Sequence, residues 1–270
     1  MPRDITVGQF LPGHSIMHRL DPRTKIVLTF FFIIQVFISK SAISLSFLIA
    51  LLGVFIACSQ VSPGKVFKGV RPMIPVIIFT AVLNIFYGSG DPVLSFSIFH
   101  ITKQGLFTGF TLMVRLTALI AGCSLITYTT SLNTLAAGLE QLLSPFKRFH
   151  LKVGELSMTI AITLRFLPTL ADEFDRIIDA QKARGAEFGS GNFIKRIKSY
   201  FPVILPLFMS AFRRAFELTN AIECRCYRGG EGRTKMSVLR LSKTDVGAIL
   251  LFLLAFSLTI IFNVLFPFQY

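Results

Sequence analysis

The last 25 residues of the chain, Val246 to Tyr270, contain no charged side chain. A helix needs about 20 predominantly apolar residues to cross the hydrocarbon of a bilayer, so a stretch of this kind reads as a membrane span. It is one of several. Ile26 to Ser39 is apolar, Lys40 interrupts, and Ser41 to Gly64 is again free of formal charge, which is room for two spans with a tight turn at Lys40. Pro72 to Gly90 is a third uncharged stretch, and Gly105 to Thr130 a fourth that contains only Arg115. Composition agrees: 53% of residues are hydrophobic and 16% charged, where a soluble domain carries about 25% charge. Such an excess of apolar residues does not fit a soluble two-domain protein, and 29 Phe residues are the opposite of a disordered signature. The expected fold is an all-α integral membrane protein with about five transmembrane helices, near 26–39, 41–62, 72–90, 105–130 and 244–270.

The formal charge of +14 then concerns orientation. Arg3, Arg19, Arg23 and Lys25 precede the first span, Lys65, Lys68 and Arg71 lie between the second and third, and eighteen basic residues lie between Ser131 and Lys243. With five spans, 25 of the 28 basic residues fall on one side and only Lys40 and Lys103 on the other. Basic residues crowd the cytoplasmic side, so the N-terminus is expected in the cytoplasm of a bacterial cell and the C-terminus outside. Leaving out the long 131–243 segment, seven basic residues still stand against two. Tyr87, Tyr128 and Tyr270 lie near expected span ends, where amphipathic rings settle. The run after the polar first 25 residues is too long for a signal-peptide core, so no cleaved leader is expected. Arg115 is an intramembrane charge, read as snorkelling to a headgroup or paired inside the bundle.

Residues 131–243 hold 10 of the 14 acidic residues and read as a cytoplasmic segment. Ser131 and Thr134 offer caps for an amphipathic run, Leu135, Leu139, Leu142 and Leu143, that ends near Pro145. A second helix is expected from about Val153 to Arg184, kinked at Pro168. Beyond the kink Leu170, Phe174 and Ile177 form an apolar stripe, while Asp172, Glu173, Asp175, Arg176, Asp179 and Lys182 read as solvated faces. The stripe continues to Arg184, and Gly185 follows as a C-cap. A third helix is expected from near Pro202 to about Tyr227. Its stripe is Phe208, Ala211, Ala215, Leu218 and Ile222, and the next step is Arg225. Two amphipathic helices thus each finish on an arginine in register with the stripe. Such an arginine favours the helix dipole by about 0.3–1 kcal/mol. It also offers a planar five-donor fork to carboxylates or carbonyls in a partner's pocket.

Catalytic chemistry is hard to assemble. There is no Gly-x-x-x-x-Gly-Lys-[Ser/Thr] phosphate loop, and Gly229 to Lys235 is glycine-rich and basic but has the wrong order and follows a helix. The Asp172-Glu173-Phe174-Asp175 cluster sits on one helix, where a metal-bound prenyl-diphosphate site needs carboxylates converging from several. Cys224 and Cys226 supply at most half of a tetrahedral set, and His14, His18, His100 and His150 are scattered. No catalytic residue, metal, cofactor or nucleic-acid partner is expected.

Three segments carry a family likeness. Gly8-Gln-Phe-Leu-Pro-Gly-His-Ser-Ile-Met-His-Arg-Leu-Asp-Pro-Arg-Thr-Lys25 resembles the N-terminal signature of the T component, the transmembrane scaffold of energy-coupling factor ABC transporters. Leu164-Arg-Phe-Leu-Pro168 and Ala180-Gln-Lys-Ala-Arg-Gly185 resemble its first long cytoplasmic helix, and Ala221-Ile-Glu-Cys-Arg-Cys-Tyr-Arg-Gly-Gly-Glu-Gly-Arg-Thr-Lys235 its second. The resemblance implies a non-catalytic subunit of a vitamin or metal importer, joining two cytoplasmic ABC ATPases to a small membrane substrate-binding subunit. By match, Ala183, Arg184 and Gly185 form the first ATPase-coupling motif, and Cys224, Arg225 and Cys226 the second. The family usually has Ala-Arg-Gly at the second site, and often Asp where His14 stands. A cysteine in place of that glycine restricts positive φ, so the third helix is expected to run on to Gly229. Leu170, Phe174, Ile177, Phe208, Ala211, Leu218 and Ile222 are where the resemblance implies contact with the substrate-binding subunit. The alternatives are the permease of a conventional ABC importer, served by a soluble binding protein, and a self-contained membrane enzyme or channel.

Overall fold

The computed structural model describes residues 10–39, 41–87, 92–96, 99–145, 153–186, 188, 192–227 and 241–266. Two compact units emerge: residues 8–139 with 237–270, and residues 1–7 with 140–236.

The first unit is built from α1 (Ile16–Arg19), α2 (Pro22–Ile38), α3 (Ala42–Ser59), α4 (Pro63–Val70), α5 (Ile74–Tyr87), α6 (Lys103–Thr129) and the start of α7 (Leu132–Leu143), closed by the C-terminal helix α11 (Lys243–Leu265). A hairpin of β1 (Pro92–Phe96) and antiparallel β2 (Phe99–Thr102) joins α5 to α6, a small addition to the all-α architecture. Capping chemistry sets the helix starts. Asp21 accepts from Arg23 N at 2.9 Å with Pro22 in the first turn of α2, and Thr102 Oγ1 accepts from Gly105 N at 3.0 Å to start α6. The expected turn residue Lys40 lies outside the described residues, as do Tyr270 and the glycine-rich segment Gly229–Lys235. The flanking Ser39, Ser41 and Ser44 are buried, and Ser44 Oγ donates to Ser41 O at 2.7 Å.

Phe32, Val36, Leu48, Leu52, Val66, Ile77, Ala121, Leu125 and Phe252 form one core from α2, α3, α4, α5, α6 and α11. Gly122 is required there, because a Cβ would lie 2.3 Å from the Phe32 ring. Polar bonds stitch α11 to α2 at three levels. Asp245 Oδ1 accepts from Asp21 N at 2.8 Å, Gln35 Nε2 donates to Thr259 Oγ1 at 2.7 Å, and Asn263 Nδ2 donates to Ile38 O at 2.8 Å. These pairings ascend both helices together, so α2 and α11 run parallel. The start of α2 also meets the end of α6: Lys25 Nζ donates to Thr129 O and Thr130 Oγ1, each at 3.0 Å, and Leu11 N donates to Tyr128 O at 2.9 Å. At the opposite end of α2, Arg115 donates to Ser39 O at 2.5 Å, so this charge is paired inside the bundle at a helix C-terminus. Tyr128 is buried, its hydroxyl donating to Lys65 O at 3.2 Å, a bundle contact rather than an interfacial anchor.

Among the described residues, five helical segments are long and apolar enough to cross a membrane: 42–59, 63–86, 104–129, 153–183 and 243–265. They differ from the expected five in three places. α2 has 17 residues, about 26 Å at 1.5 Å per residue, a little under the roughly 30 Å hydrocarbon thickness. The helix α8 (Val153–Ala183), expected on the cytoplasmic side, meets the length and composition requirement. The third expected span also begins earlier. Lys65 and Lys68 stand within α4, whose Val66 and Val70 are buried and whose Lys65 and Lys68 are exposed.

The second unit consists of α8, α9 (Phe193–Ser199) and α10 (Phe201–Cys224). Pro168 lies inside α8 and Pro206 inside α10 without interrupting either helix.

Candidate functional site

The ends of α8 and α10 are the same structure built twice. At the end of α8, Gly185 N donates to Lys182 O at 2.9 Å and Ala186 N to Gln181 O at 3.0 Å. At the end of α10, Cys226 N donates to Glu223 O at 2.9 Å and Tyr227 N to Ile222 O at 3.3 Å. These paired 5→2 and 6→1 bonds define the Schellman cap, which requires a left-handed residue just beyond the helix. Gly185 holds that position at φ 84 and Cys226 at φ 55. Arg184 and Arg225 therefore occupy equivalent C-cap positions. Both are exposed, and neither guanidinium has a side-chain partner among the described residues.

This corrects the expectation that α10 runs on to Tyr227 or Gly229: it stops at Cys224. A residue with a Cβ enters the left-handed region at a cost of about 1–2 kcal/mol. The two cap bonds offset that cost by satisfying carbonyls otherwise left open at the helix end. The cap also brings Tyr227 back beside Ile222, the two positions that a Schellman cap commonly fills with an apolar pair.

α8 and α10 pack on each other, and the bond between them runs through Glu173. Ser210 Oγ donates a short hydrogen bond to Glu173 Oε1, and Arg214 Nη2 donates to Glu173 Oε2 at 2.8 Å. The carboxyl of Glu173 is held below its ordinary range, first by the Ser210 hydrogen bond and then by the charge of Arg214, against the opposing effect of burial. Glu173 is thus an interhelical clasp and not part of a solvated face. Asp179, with Lys182 at 3.2 Å, is the exposed surface pair that face was expected to hold.

The expected contact residues divide between two environments. Leu170, Phe174 and Ile177 on α8, and Ala211, Leu218 and Ile222 on α10, are half-buried. On α10 they share a face with Ser210 and Arg214, the residues that bond to α8. Phe208 and Ala215 are exposed. Phe208 belongs to a second apolar row, Phe201, Leu205, Phe208, Phe212 and Phe216, whose members are 54–69% exposed. A fourfold spacing of large exposed apolar residues, as at 201, 205, 212 and 216 with 208, is the sequence signal that separates this row from the α8-facing stripe. The Glu173 clasp carried no such signal, since a Glu beside two Asp residues looks solvated until Ser210 and Arg214 are placed opposite it.

Residues 13–236 match the family described as cobalt transport protein, CbiQ. The chain belongs to this family. Among curated relatives it is 45% identical over 246 residues to the energy-coupling factor transporter transmembrane protein EcfT of Ruminiclostridium cellulolyticum, covering 91% of this chain and 92% of that protein. It is 44% identical to the protein of the same name from Thermosediminibacter oceani, over 91% and 93% of the two chains. The Listeria innocua protein of that name is 41% identical, over 89% and 91%. The CbiQ match covers both helix-end motifs, Ala183-Arg184-Gly185 and Cys224-Arg225-Cys226, and the N-terminal signature from Gly13 onward.

Proposed function

We propose that this chain is the transmembrane scaffold of an energy-coupling factor importer, carrying ATP-driven motion from two cytoplasmic ATPases to a small membrane substrate-binding subunit for vitamin or metal-ion uptake. The observation that carries the reading is the pair of identical caps, each presenting an exposed arginine at the end of a helix in one unit. Membership of a transport family and relatives named as transmembrane proteins of such transporters support it. Each arginine enters a pocket on one ATPase, with Ala183, Gly185, Cys224 and Cys226 letting the partner's surface approach closely. The chain itself hydrolyses no ATP, because it lacks a nucleotide-binding loop. Motion of the caps passes along α8 and α10, joined at Glu173, to the apolar rows facing the substrate-binding subunit, of which Phe208 is the exposed member among the expected contacts.

α2, α3, α4–α5, α6 and α11 are the five spans, with the N-terminus cytoplasmic. Parity supports this. The end of α6 and the start of α11 lie at the same end of the first unit, since Lys25 bonds Thr129 and Asp245 bonds the backbone of Asp21. An even number of crossings must separate them, so α8 does not cross alone, despite its length.

Substrate uptake and ATPase co-purification of Arg184→Ala, Arg225→Ala and the double variant test the coupling role. Charge-assisted hydrogen bonds contribute about 1.5–3 kcal/mol each. Each single variant is expected to weaken docking and the double to abolish transport, with Lys rescuing poorly because it lacks the planar fork. A double variant that transports normally with a full complement of ATPases overturns the reading.

A further inference from the structure

The first unit contains a cavity of about 330 Å³, lined by α1, α2, α3, α6 and α11. That is within the range of small-ligand pockets, about 300–1,000 Å³. Its wall is almost wholly apolar, with Phe32, Phe55 and Leu125 among its side chains. Three of the polar residues in the wall, Lys25, Thr29 and Thr129, are committed inside the protein. Lys25 Nζ bonds to Thr129 O and Thr130 Oγ1, Thr29 Oγ1 donates to Lys25 O at 2.8 Å, and Thr129 Oγ1 donates to Leu125 O at 2.8 Å. The cavity wall is therefore suited to bulk apolar matter. Its open side lies between α3 and α11, where Val54, Cys58, Gly247 and Leu251 line it and are exposed. A Cβ at Gly247 would meet no atom within 4 Å, so a large side chain can be introduced there without a clash at its base.

Two basic residues adjoin wall residues along the chain. Arg19 stands between the wall residues Met17 and Leu20, Lys243 precedes the wall residue Thr244, and both basic residues are exposed. We propose that this cavity holds one acyl chain of an anionic phospholipid, entering between α3 and α11, with its headgroup attracted to Arg19 and Lys243. Each basic residue close to an anionic headgroup adds to the attraction, whereas a zwitterionic lipid gains little from either. The proposal rests on the membrane placement of α2, α3, α6 and α11, and is independent of the coupling role of the arginine caps.

The experiment is lipid binding by the purified full-length chain in mild detergent, read by native mass spectrometry with phosphatidylglycerol and phosphatidylcholine of the same acyl chains. One phosphatidylglycerol per chain is expected, bound about thirtyfold more tightly than phosphatidylcholine on the strength of two basic residues. Gly247→Phe should plug the open side and remove both lipids. Arg19→Gln with Lys243→Gln leaves the cavity open and should bring the two lipids to equal affinity, so the proposal stays testable if the plugged variant folds poorly. Equal binding of the two lipids by the unmodified chain overturns it, as does undiminished phosphatidylglycerol binding by a folded Gly247→Phe. A third readout is maleimide labelling of Cys58 with Cys123, Cys224 and Cys226 replaced by Ser. Labelling should slow when phosphatidylglycerol is added to the chain alone. Protection only when a membrane partner subunit is added would make the occupant a protein segment and overturn the lipid assignment.

Discussion

Cys226 sits at φ 55, in the left-handed region, at the position where the matching helix has Gly185 at φ 84. A side chain at such a φ stores about 1–2 kcal/mol, so Cys226→Gly is expected to stabilise the end of α10 by about 1 kcal/mol. Gly185→Ala should destabilise the end of α8 by a similar amount. Hydrogen exchange of the last-turn amides in detergent measures both. Unchanged protection in Cys226→Gly would mean that the thiol-bearing cap carries no strain. The pair of arginines was legible from spacing alone, because register along an amphipathic helix depends only on sequence. The cap geometry was not legible. Cysteine disfavours positive φ locally, and only the bonds from Cys226 and Tyr227 back to Glu223 and Ile222 reverse that preference.

At the scale of elements, the clasp between α8 and α10 has a pH signature. The carboxyl of Glu173 is held below its ordinary value when folded, first by Ser210 and then by Arg214. A depressed folded value means the clasp contributes fully above the ordinary glutamate value of about 4.3 and fades as pH falls through the lower folded value. Glu173→Gln should cost about 1 kcal/mol at neutral pH, because the site is partly exposed and solvent screens the pair, and should flatten the acid limb of the stability curve. An acid limb identical in the unmodified chain and Glu173→Gln would show that another carboxylate governs it. The seam between α2 and α11 is the second element-scale joint. Asp245 is buried and accepts from Asp21 N at 2.8 Å and Ser242 N at 2.7 Å. Asp245→Ala leaves the buried Asp21 N–H open, at about 1–3 kcal/mol, and removes the part-buried cap bond of Ser242 N. A drop in thermal stability of the detergent-solubilised chain is the expected result, and an unchanged midpoint would show that water replaces the carboxylate.

For the molecule as a whole, topology is the testable quantity. Single cysteines at Lys40 and Lys65, in a background without native cysteines, should label from opposite sides of the membrane, Lys40 from outside and Lys65 from inside. Labelling of both from outside would refute the five-span arrangement. The parallel pairing of α2 and α11, with Asp21 against Asp245 and Gln35 against Thr259, has both helices start at the same end of the first unit, as an odd number of spans requires.

Uncharged runs determined, from sequence alone, that the chain is helical and membrane-embedded, and the lopsided basic residues gave its expected orientation. Both are one-dimensional properties: a helix must satisfy its own backbone in lipid, and the cost of a buried charge depends on residue type. The two arginine-tipped helices were legible for the same reason, since helical periodicity maps position onto face. Tertiary structure alone decided which apolar row of α10 faces α8 and which remains exposed, and that Arg115 caps the end of α2. It alone also turned Glu173 from a surface acid into a clasp and enclosed an apolar cavity among α1, α2, α3, α6 and α11. Each of these depends on what a neighbouring helix places opposite a residue, and periodicity within one helix carries no information about its neighbour.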